Sequence, residues 1–267
     1  AMTPDAVFPV LHGPFGEDGT MQWLLDTLGW PYVGSGVLGS SVGMDKAISK
    51  NLAIHARLPV LSYVVLPDSK DLGLARDLKL PVFVKPARLG SSVGVYKVKK
   101  AAGLAGAVRK AFRFDTTVIV EEGIEAREIE VAVLGAPFAA RPSVVGEIRP
   151  NAEFYSYEAK YLDPDGAQLI VPAKLPKDQT DQVQRMALEA FYAHGLHGLA
   201  RVDLLMDKKT GRMWFNEVNT LPGFTAVSMY PKLWAATGLP FPRLVGKLLD
   251  LALVRAQAQA RLRITRD

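Results

Sequence analysis

The spacing of apolar residues predicts which parts of the chain form helices and which form strands. Between Met21 and Leu28, apolar side chains recur every three or four positions, which predicts a helix that ends at Gly29. The same spacing predicts helices in SSVGMDKAISKNLAIHAR, AAGLAGAVRKAFRF and KDQTDQVQRMALEAFYAHGL, and a last helix from about Phe241 to Arg263. Short β-branched runs predict strands in LSYVVL, LPVFVKP, TTVIVEEGI, REIEVAVLG, ARPSVVGEIRP and GLARVDLLM. The pattern is typical of an α/β protein with two compact lobes.

The beginning of the chain predicts a smaller unit. AVFPV and PYVG are short apolar runs on either side of the first helix, which indicates a βαβ-like fragment. A doubly wound domain normally has more strands than this. We therefore expect only a remnant of an N-terminal α/β domain in this part of the chain.

The composition favours an enzyme of ordinary globular type. Of the 267 residues, 49% are hydrophobic and 22% are charged, which is enough apolar material for a sizeable core. The absence of Cys excludes disulfides, zinc thiolate sites and cysteine catalysis, and four His are too few to favour a histidine-built metal centre. No apolar run reaches the roughly 18 residues of a membrane span, and no signal-peptide pattern is found. We expect a cytoplasmic enzyme with no membrane partner.

The net charge of +5 is a mild basic excess. Part of it lies in the predicted C-terminal helix, at Arg255, Arg261, Arg263 and Arg266. No nucleic-acid-binding motif accompanies these residues, so we interpret them as a solvated helical face and expect no nucleic-acid partner. The basic balance better suits an anionic small ligand such as a nucleotide.

Two predicted strands near the C-terminus carry the strongest chemical signal. Alternate residues of a strand share a face, so Glu217 and Asn219 point the same way, with Phe215 continuing that row, while Arg201 and Asp203 share a face upstream. If position 203 pairs with position 217, two carboxylates and an amide converge at one end of a hairpin. Such hard oxygen donors suit Mg²⁺. The alternative is a row of solvent-facing polar residues, but a fixed arginine beside the row favours a polyanionic ligand.

A glycine-rich loop follows the predicted strand VFVKP. The strand brings Lys85 to its end, and Gly90-Ser91-Ser92-Val93-Gly94 forms a turn rich in hydrogen-bond donors. Backbone N–H groups and hydroxyls of such a loop can hold phosphate oxygens. It is not a Walker loop, because the G-x-x-x-x-G-K-[ST] pattern is absent. An ordinary hairpin turn is the alternative.

Further polar residues have two interpretations each. The strand VIVEE ends in Glu121 and Glu122, with Glu128 just beyond, and could offer carboxylate and backbone partners to an adenine and a ribose. An exposed turn is the simpler interpretation of that segment. Three other side chains also have a simpler interpretation. The first is a solvated lysine at a helix start, and the other two belong to a Tyr-rich segment that could serve only for packing. The three are Lys46, Lys160 and Tyr161.

In six segments, taken in order, the chain resembles the D-alanine–D-alanine ligases, a family of ATP-grasp enzymes. The segments are LHGPFGEDGTMQ, YVGSGVLGSSVGMDK, VFVKPARLGSSVGV, YSYEAKYL, RVDLLM and NEVNTLPGFTAVSMYP. The resemblance implies an α/β ATP-grasp fold in which two lobes clamp ATP. It divides the chain into an N-terminal remnant at 1–36, a central lobe with the glycine-rich loop at 37–121 and a C-terminal lobe with the metal site at 122–267.

The resemblance also implies the reaction. ATP phosphorylates the carboxylate of a first D-alanine, and the amine of a second attacks the acyl phosphate, which gives D-alanyl-D-alanine for peptidoglycan synthesis. The implied cofactors are ATP and two Mg²⁺ ions, for which Mn²⁺ could substitute, and the implied assembly is a homodimer. The implied magnesium ligands are Asp203, Glu217 and Asn219. The implied nucleotide contacts are Lys46, Lys85, Glu121, Glu122, Ile124, Glu128 and, on the phosphates, Lys160.

The resemblance assigns substrate roles by position. Ser91 and His12 would hold the first D-alanine. Arg201 and the backbone N–H of Gly223 would stabilise the oxyanion of the second step. Tyr161 lies where the family favours an amine over a hydroxy acid as the second substrate. The carboxylate of that substrate would be bound by Ser228 and Met229.

Two departures from the family's pattern stand in the sequence. The family's first strand, the separate glycine-rich loop that belongs to that strand, and an acidic residue that binds the first substrate's ammonium have no counterpart here. Glu122 stands where a lysine is common, with a small expected effect because the adenine contact there is largely main chain. Two alternatives therefore stay open: a ligase for another amino or hydroxy acid, and a nucleotide-binding chain that does not turn over.

Overall fold

Short runs rich in Val, Ile and Leu form two antiparallel sheets in the computed structural model, which describes residues 3–150, 167–225 and 227–263. The smaller sheet has the strand order β1-β4-β2-β3. Its strands are β1 (Tyr63–Leu66), β2 (Val82–Pro86), β3 (Tyr96–Val98) and β4 (Val118–Glu122). Helix α4 (Leu104–Ala111) packs on one face, where its small residues meet the valines of the central strands. Short 3-10 turns at Leu72–Ala75 and Ala101–Gly103 complete this lobe.

The larger sheet has the strand order β7-β6-β5-β8-β9. Its strands are β5 (Ala126–Gly135), β6 (Arg141–Pro150), β7 (Ala167–Ile170), β8 (Gly198–Asp207) and β9 (Met213–Asn219). Helix α5 (Lys177–Ala193) covers one face and buries Ile129, Val202 and Phe215. Helices α6 (Met229–Ala236) and α7 (Phe241–Ala260) pack on the opposite face, over Ala132 and Leu199.

The N-terminal part contains α1 (Thr20–Leu28), α2 (Val37–Met44) and α3 (Lys46–His55). From residue 3 onward, where the structure describes this part of the chain, a single parallel bridge between Val7 and Tyr32 represents the two predicted strands. The helix predicted across MDKAISK is interrupted by Asp45, whose carboxylate accepts hydrogen bonds from the backbone N–H groups of Ala47 and Ile48. Asp45 thereby acts as the N-cap of α3 and separates it from α2.

Most predicted elements are confirmed, with differences at short segments and ends. The α1 helix, the strands β2, β4, β5, β6 and β8, and the helix α5 lie where the pattern predicts them. The helix α6 and the strand β7 were not predicted, and α7 ends at Ala260 rather than Arg263. The boundaries at 36/37 and 121/122 stay predictions. In the part of the chain that the structure describes, no helix combines the length and apolarity of a membrane span.

Arg255 corrects the interpretation of the C-terminal helix as a solvated basic face. Its guanidinium donates to the carbonyl oxygens of Gly34 and Tyr32 and lies 4.2 Å from the centroid of the Tyr32 ring. Burial, which is the largest effect on this group, lowers the pKa of Arg255. Arg255 therefore attaches α7 to the N-terminal segment, whereas Arg261 and Arg263 are exposed.

We expect Arg255→Ala to lower the free energy of unfolding by about 2 kcal/mol, because two backbone carbonyls lose a charged donor. Urea denaturation of purified protein measures this change. The control Arg261→Ala removes an exposed arginine from the end of the same helix and should change stability by less than about 0.5 kcal/mol. Equal effects of the two substitutions would contradict the role assigned to Arg255.

Candidate functional site

The hairpin of β8 and β9 brings the predicted metal ligands together. Asp203 lies opposite Glu217, and Arg201 lies opposite Asn219. The Asn219 amide donates to Asp203 Oδ2 at 2.9 Å. The predicted pairing of positions 203 and 217 is therefore confirmed, and the two carboxylates and the amide lie on one face of the sheet.

A β-bulge in β9 corrects one detail of that prediction. The pairing steps from Asp203 opposite Glu217 to Leu204 opposite Phe215, so Asn216 is an extra residue on this strand. The extra residue shifts the alternation, and Phe215 is buried against α5. The prediction that Phe215 continues the row of Glu217 was wrong, because a strict two-residue period fails across a bulge.

Arg201 is held by two acids on neighbouring strands. Its Nε and Nη2 donate to the two carboxylate oxygens of Asp203, each at 2.7 Å, and Nε lies 3.3 Å from Glu130 Oε2. Burial alone would lower the pKa of Arg201, but Asp203 and Glu130 outweigh it and raise the pKa. Glu130 was missed by the sequence reasoning, although it lies in the strand REIEVAVLG at the register position opposite Asp203.

The donor set fits Mg²⁺ by its chemistry. Two carboxylates and one amide oxygen are hard ligands, and Mg²⁺ takes its remaining ligands from water and phosphate. Asp203 Oδ2 accepts from both Arg201 and Asn219, so the carboxylate already uses most of its roughly four acceptor sites and a cation would compete with these donors. Among the described residues, no group of three or more His, Asp or Glu side chains forms a metal cluster by itself. The site would therefore depend on oxygen atoms of the ligand.

Lys46 connects this hairpin to the glycine-rich loop. Its Nζ donates to the Leu89 carbonyl at 2.6 Å and lies 3.6 Å from Glu217 Oε2, while its backbone N–H donates to the Ala87 carbonyl at 2.9 Å. The side chain is 12% exposed. The interpretation of Lys46 as a solvated lysine was therefore wrong, since it lies between the loop and the candidate metal ligand.

The glycine-rich loop, Gly90–Gly94, has a left-handed backbone. Ser91 and Ser92 have φ angles of 55° and 60°, which residues other than glycine rarely adopt. A Cβ at Gly94 would lie 2.8 Å from a Pro86 side-chain atom, so this position needs glycine. The base of the loop is anchored by Arg88, whose backbone N–H donates to Asp115 at 2.8 Å.

Lys85 belongs to a buried cluster of charges. Its Nζ lies 2.6 Å from Glu121 Oε2, and Lys50 pairs with Oε1 of the same carboxylate. Burial acts to raise the pKa of Glu121, but the two ammonium groups outweigh it and hold that pKa low. Both carboxylate oxygens are thus engaged by lysines, so the Glu121 side chain is not placed as a free partner for a base or a ribose.

Lys50 was missed by the sequence reasoning. It lies four residues after Lys46 in MDKAISK, so both lysines share one face of α3. Its Nζ also donates to the carbonyl of Asn216, the extra residue of the bulge, at 3.3 Å. Burial is the largest effect on Lys50 and lowers its pKa, opposed by Glu121. The lysine spacing was the available signal.

The remaining predicted nucleotide contacts line the connection between the sheets. Glu122 accepts from the backbone N–H of Lys79 at 2.8 Å. Ile124 is half-buried between β4 and β5, and Glu128 is half-buried on β5 near enough to Lys85 to raise its pKa. Lys160 and Tyr161 lie outside the described residues.

His12 meets a buried acid at the N-terminal end of the site. Its Nδ1 lies 3.2 Å from the Leu221 carbonyl and 3.2 Å from Glu17 Oε1. Glu17 also accepts from the backbone N–H groups of Gly13 and Leu221. Burial raises the pKa of Glu17. Glu17 was missed, although it lies in the quoted segment LHGPFGEDGTMQ.

The segment after β9 brings Gly223 beside the start of α6. A Cβ at Gly223 would lie 2.9 Å from Ser228 Oγ, so only glycine fits without a shift. Ser228 is the N-cap of α6, and its Oγ accepts from the Thr225 N–H at 3.1 Å. Met229 is the first residue of α6 and its side chain is buried, so its backbone N–H is the group available at the helix start.

An open cleft lies among these groups. Glu17, Lys46, Gly90, Glu217 and Asn219 line it. It therefore joins the N-terminal segment, the start of α3, the glycine-rich loop and the hairpin. Cations, loop donors and oxygen ligands around one cleft suit a ligand that carries several phosphates.

Comparison with known proteins points to one family. Residues 52–250 match the family model described as D-ala D-ala ligase C-terminus, and residues 1–35 match D-ala D-ala ligase N-terminus. The chain is 52% identical over 263 residues to D-alanine–D-alanine ligase A of Bradyrhizobium diazoefficiens, covering 94% of this chain and 70% of that protein. It is 48% identical over 255 residues to D-alanine–D-alanine ligase of Thermoanaerobacter sp., covering 93% and 71%.

Solved structures of ligases share the fold of this chain. The D-alanine-D-alanine ligase from Coxiella burnetii superposes with a TM-score of 0.84 at 37% identity, covering 96% of this chain and 70% of that one. The VanG D-Ala:D-Ser ligase from Enterococcus faecalis also gives 0.84 at 37% identity, covering 93% and 73%. The expected α/β ATP-grasp fold is confirmed.

We expect Arg201→Met to destabilise the protein by about 3 kcal/mol, because Glu130 and Asp203 would face each other without their cation. The double variant Arg201→Met/Glu130→Gln removes one of the two acids and should recover part of that loss. Urea denaturation of both variants beside the unchanged protein measures the difference. A single variant as stable as the unchanged protein would contradict this account of the acid pair.

Proposed function

The chain belongs to the D-alanine–D-alanine ligase family of ATP-dependent ligases, and from that membership we propose that it joins two D-alanines through an acyl phosphate at the cleft described above. The product, D-alanyl-D-alanine, is a precursor of peptidoglycan. The residue roles, the metal, the assembly and the compartment given below are parts of the same proposal.

The single observation that carries the proposal is the polar row on the β8–β9 hairpin. Asp203, Glu217 and Asn219 share one face, and Lys46 lies between Glu217 and the glycine-rich loop. Rigid strands hold this donor set, which suits a divalent cation aimed at phosphate oxygens. A structural role alone would not require two acids, an arginine and an amide in register.

Two Mg²⁺ ions would be held by Asp203, Glu217 and Asn219, with Mn²⁺ as a substitute. The metal would neutralise charge on the transferred phosphoryl group. Lys46 and Lys85 would bind phosphate oxygens, and the Gly90–Gly94 loop would cover them. The adenine and ribose would bind at Glu121, Glu122, Ile124 and Glu128, where Glu121 would contribute main chain and hold Lys85, and Lys160 would join the phosphates.

The amino acid substrates would occupy the other side of the cleft. His12 and Ser91 would hold the first D-alanine. Arg201 and the Gly223 N–H would stabilise the oxyanion formed when the second amine attacks the acyl phosphate. Ser228 and Met229 would receive the second carboxylate at the start of α6, where free N–H groups and the helix dipole favour an anion.

One observation favours a second candidate function. The D-Ala:D-Ser ligase superposes as well as the D-alanine-D-alanine ligase, so the backbone does not discriminate between second substrates. Tyr161, to which we assign a preference for an amine, lies outside the described residues. A panel of D-alanine, D-serine and D-lactate as second substrates separates a D-alanyl-D-alanine ligase from a D-alanyl-D-serine ligase and from a depsipeptide ligase that uses D-lactate.

The remaining parts of the proposal concern assembly and compartment. We propose a homodimer that works in the cytoplasm, where ATP and D-alanine are available, without a nucleic-acid or membrane partner. A nucleotide-binding chain without turnover is the opposing hypothesis. ATP binding by calorimetry with no dipeptide from the complete mixture would favour it.

We expect phosphate release from ATP to require both D-alanine and Mg²⁺, with dipeptide formed in equal amount. Glu217→Gln should lower this rate by about 100-fold or more, since one charged metal ligand is lost, while thermal unfolding changes little. The control Glu189→Gln makes the same chemical change at an exposed position on α5 and should retain the rate. Phosphate release that ignores D-alanine would refute the proposed function.

A further inference from the structure

Lys50 has no role in the proposed reaction, yet among the side chains that the structure describes near the cleft it is the least accessible charged one, at 1% exposure. It lies on α3, and its ammonium group contacts two different parts of the fold. One contact is the Glu121 carboxylate on β4, and the other is the Asn216 carbonyl on β9. Burying a lysine ammonium group to this extent costs folding free energy unless a counter-ion and hydrogen bonds compensate for the lost water.

The charges of this cluster do not cancel. Glu121 carries one negative charge, because the two ammonium groups hold its pKa low. Lys50 and Lys85 occupy its two different oxygens, Oε1 and Oε2. With both lysines protonated, as their pairing with one carboxylate favours, the three groups together carry a net charge of +1, although burial acts to lower the pKa of Lys50. Without Lys50, the carboxylate would pair with Lys85 alone and the sum would fall to zero.

The geometry decides which lysine presents that charge. The Lys85 side chain is 15% exposed, whereas Lys50 and Glu121 are closed off from solvent. Of these three side chains, only Lys85 is partly exposed, and it lies near enough to Glu217, which lines the cleft, for the two charges to interact. Lys50 thus occupies the inner side of the carboxylate and leaves the outer ammonium group incompletely neutralised.

The bulge in β9 supports the same arrangement. Asn216 is the extra residue, which leaves its carbonyl out of regular ladder pairing. That carbonyl accepts from Lys50 directly beside Glu217. Lys50 therefore links the small sheet to the strand that carries a candidate metal ligand.

We propose that Lys50 is a positioning residue that balances the charge of Glu121, so that Lys85 keeps a positive charge for the phosphates of a bound nucleoside triphosphate. This inference rests on the proposed function, because it takes ATP as the ligand of the cleft. Lys50 acts through Lys85 and itself touches no ligand.

The test compares the dissociation constants of ATP and adenosine, both measured by calorimetry at one fixed Mg²⁺ concentration. Their ratio isolates the phosphate contribution, because a purely structural defect weakens both ligands alike. We expect Lys50→Met to lower the preference for ATP over adenosine by roughly tenfold or more, as one charge near the phosphates is lost. The control Lys247→Met makes the same change at an exposed position on α7 and should keep the preference.

A double variant keeps the test decisive if the single variant folds poorly. Lys50→Met/Glu121→Gln removes one positive and one negative charge, which restores the net charge of the cluster. We expect it to return the ATP preference to within about threefold of the unchanged protein. Loss of the preference in the double variant, or an unchanged preference in a folded Lys50→Met protein, would overturn the inference. An unchanged protein that does not bind ATP would instead overturn the proposed function, and this inference with it.

Discussion

Charged groups that lose water at the junction of the two sheets must find partners within the fold, and the candidate site depends on how they do so. Glu121 is closed off between β4 and α3, so two lysines pair with it. Those two lysines come from α3 and β2, and one of them also reaches β9. Pairing one buried acid therefore fixes the relative placement of a helix and strands from both sheets.

Buried charges must also find partners on the β8–β9 hairpin, but there the central ion is a cation rather than an anion. There an arginine is the shared ion, and the acids around it come from β5 and β8. The fork of Arg201 orients the Asp203 carboxylate, while Asn219 donates to it from β9. A carboxylate held in this way has little freedom, which favours binding of a cation that demands regular geometry.

Lys46 brings these two charged centres into one cleft. It is four residues from Lys50 on the same helix, and it bonds the base of the glycine-rich loop while facing Glu217. Loop, helix and hairpin therefore meet at a single side chain. Opposing charges on separate elements around one opening are what a ligand with several phosphates and a divalent cation would require.

The amino-acid sequence by itself determined the α/β class and most helices and strands, and it placed Glu217 with Asn219 on one strand face, because these depend on local periodicity. The pairing of Asp203 with Glu217 was only a condition in the sequence, and the tertiary structure met it. The six family segments added the fold and the reaction. Only the tertiary structure decided that Phe215 turns into the core, that Arg255 binds backbone carbonyls, and that Lys50, Glu17 and Glu130 belong to the site. These features depend on contacts between residues that are far apart in the chain. The ion pairs of Lys50 with Glu121 and of Arg201 with Glu130, for example, each join residues more than 70 positions apart. No local pattern encodes such contacts.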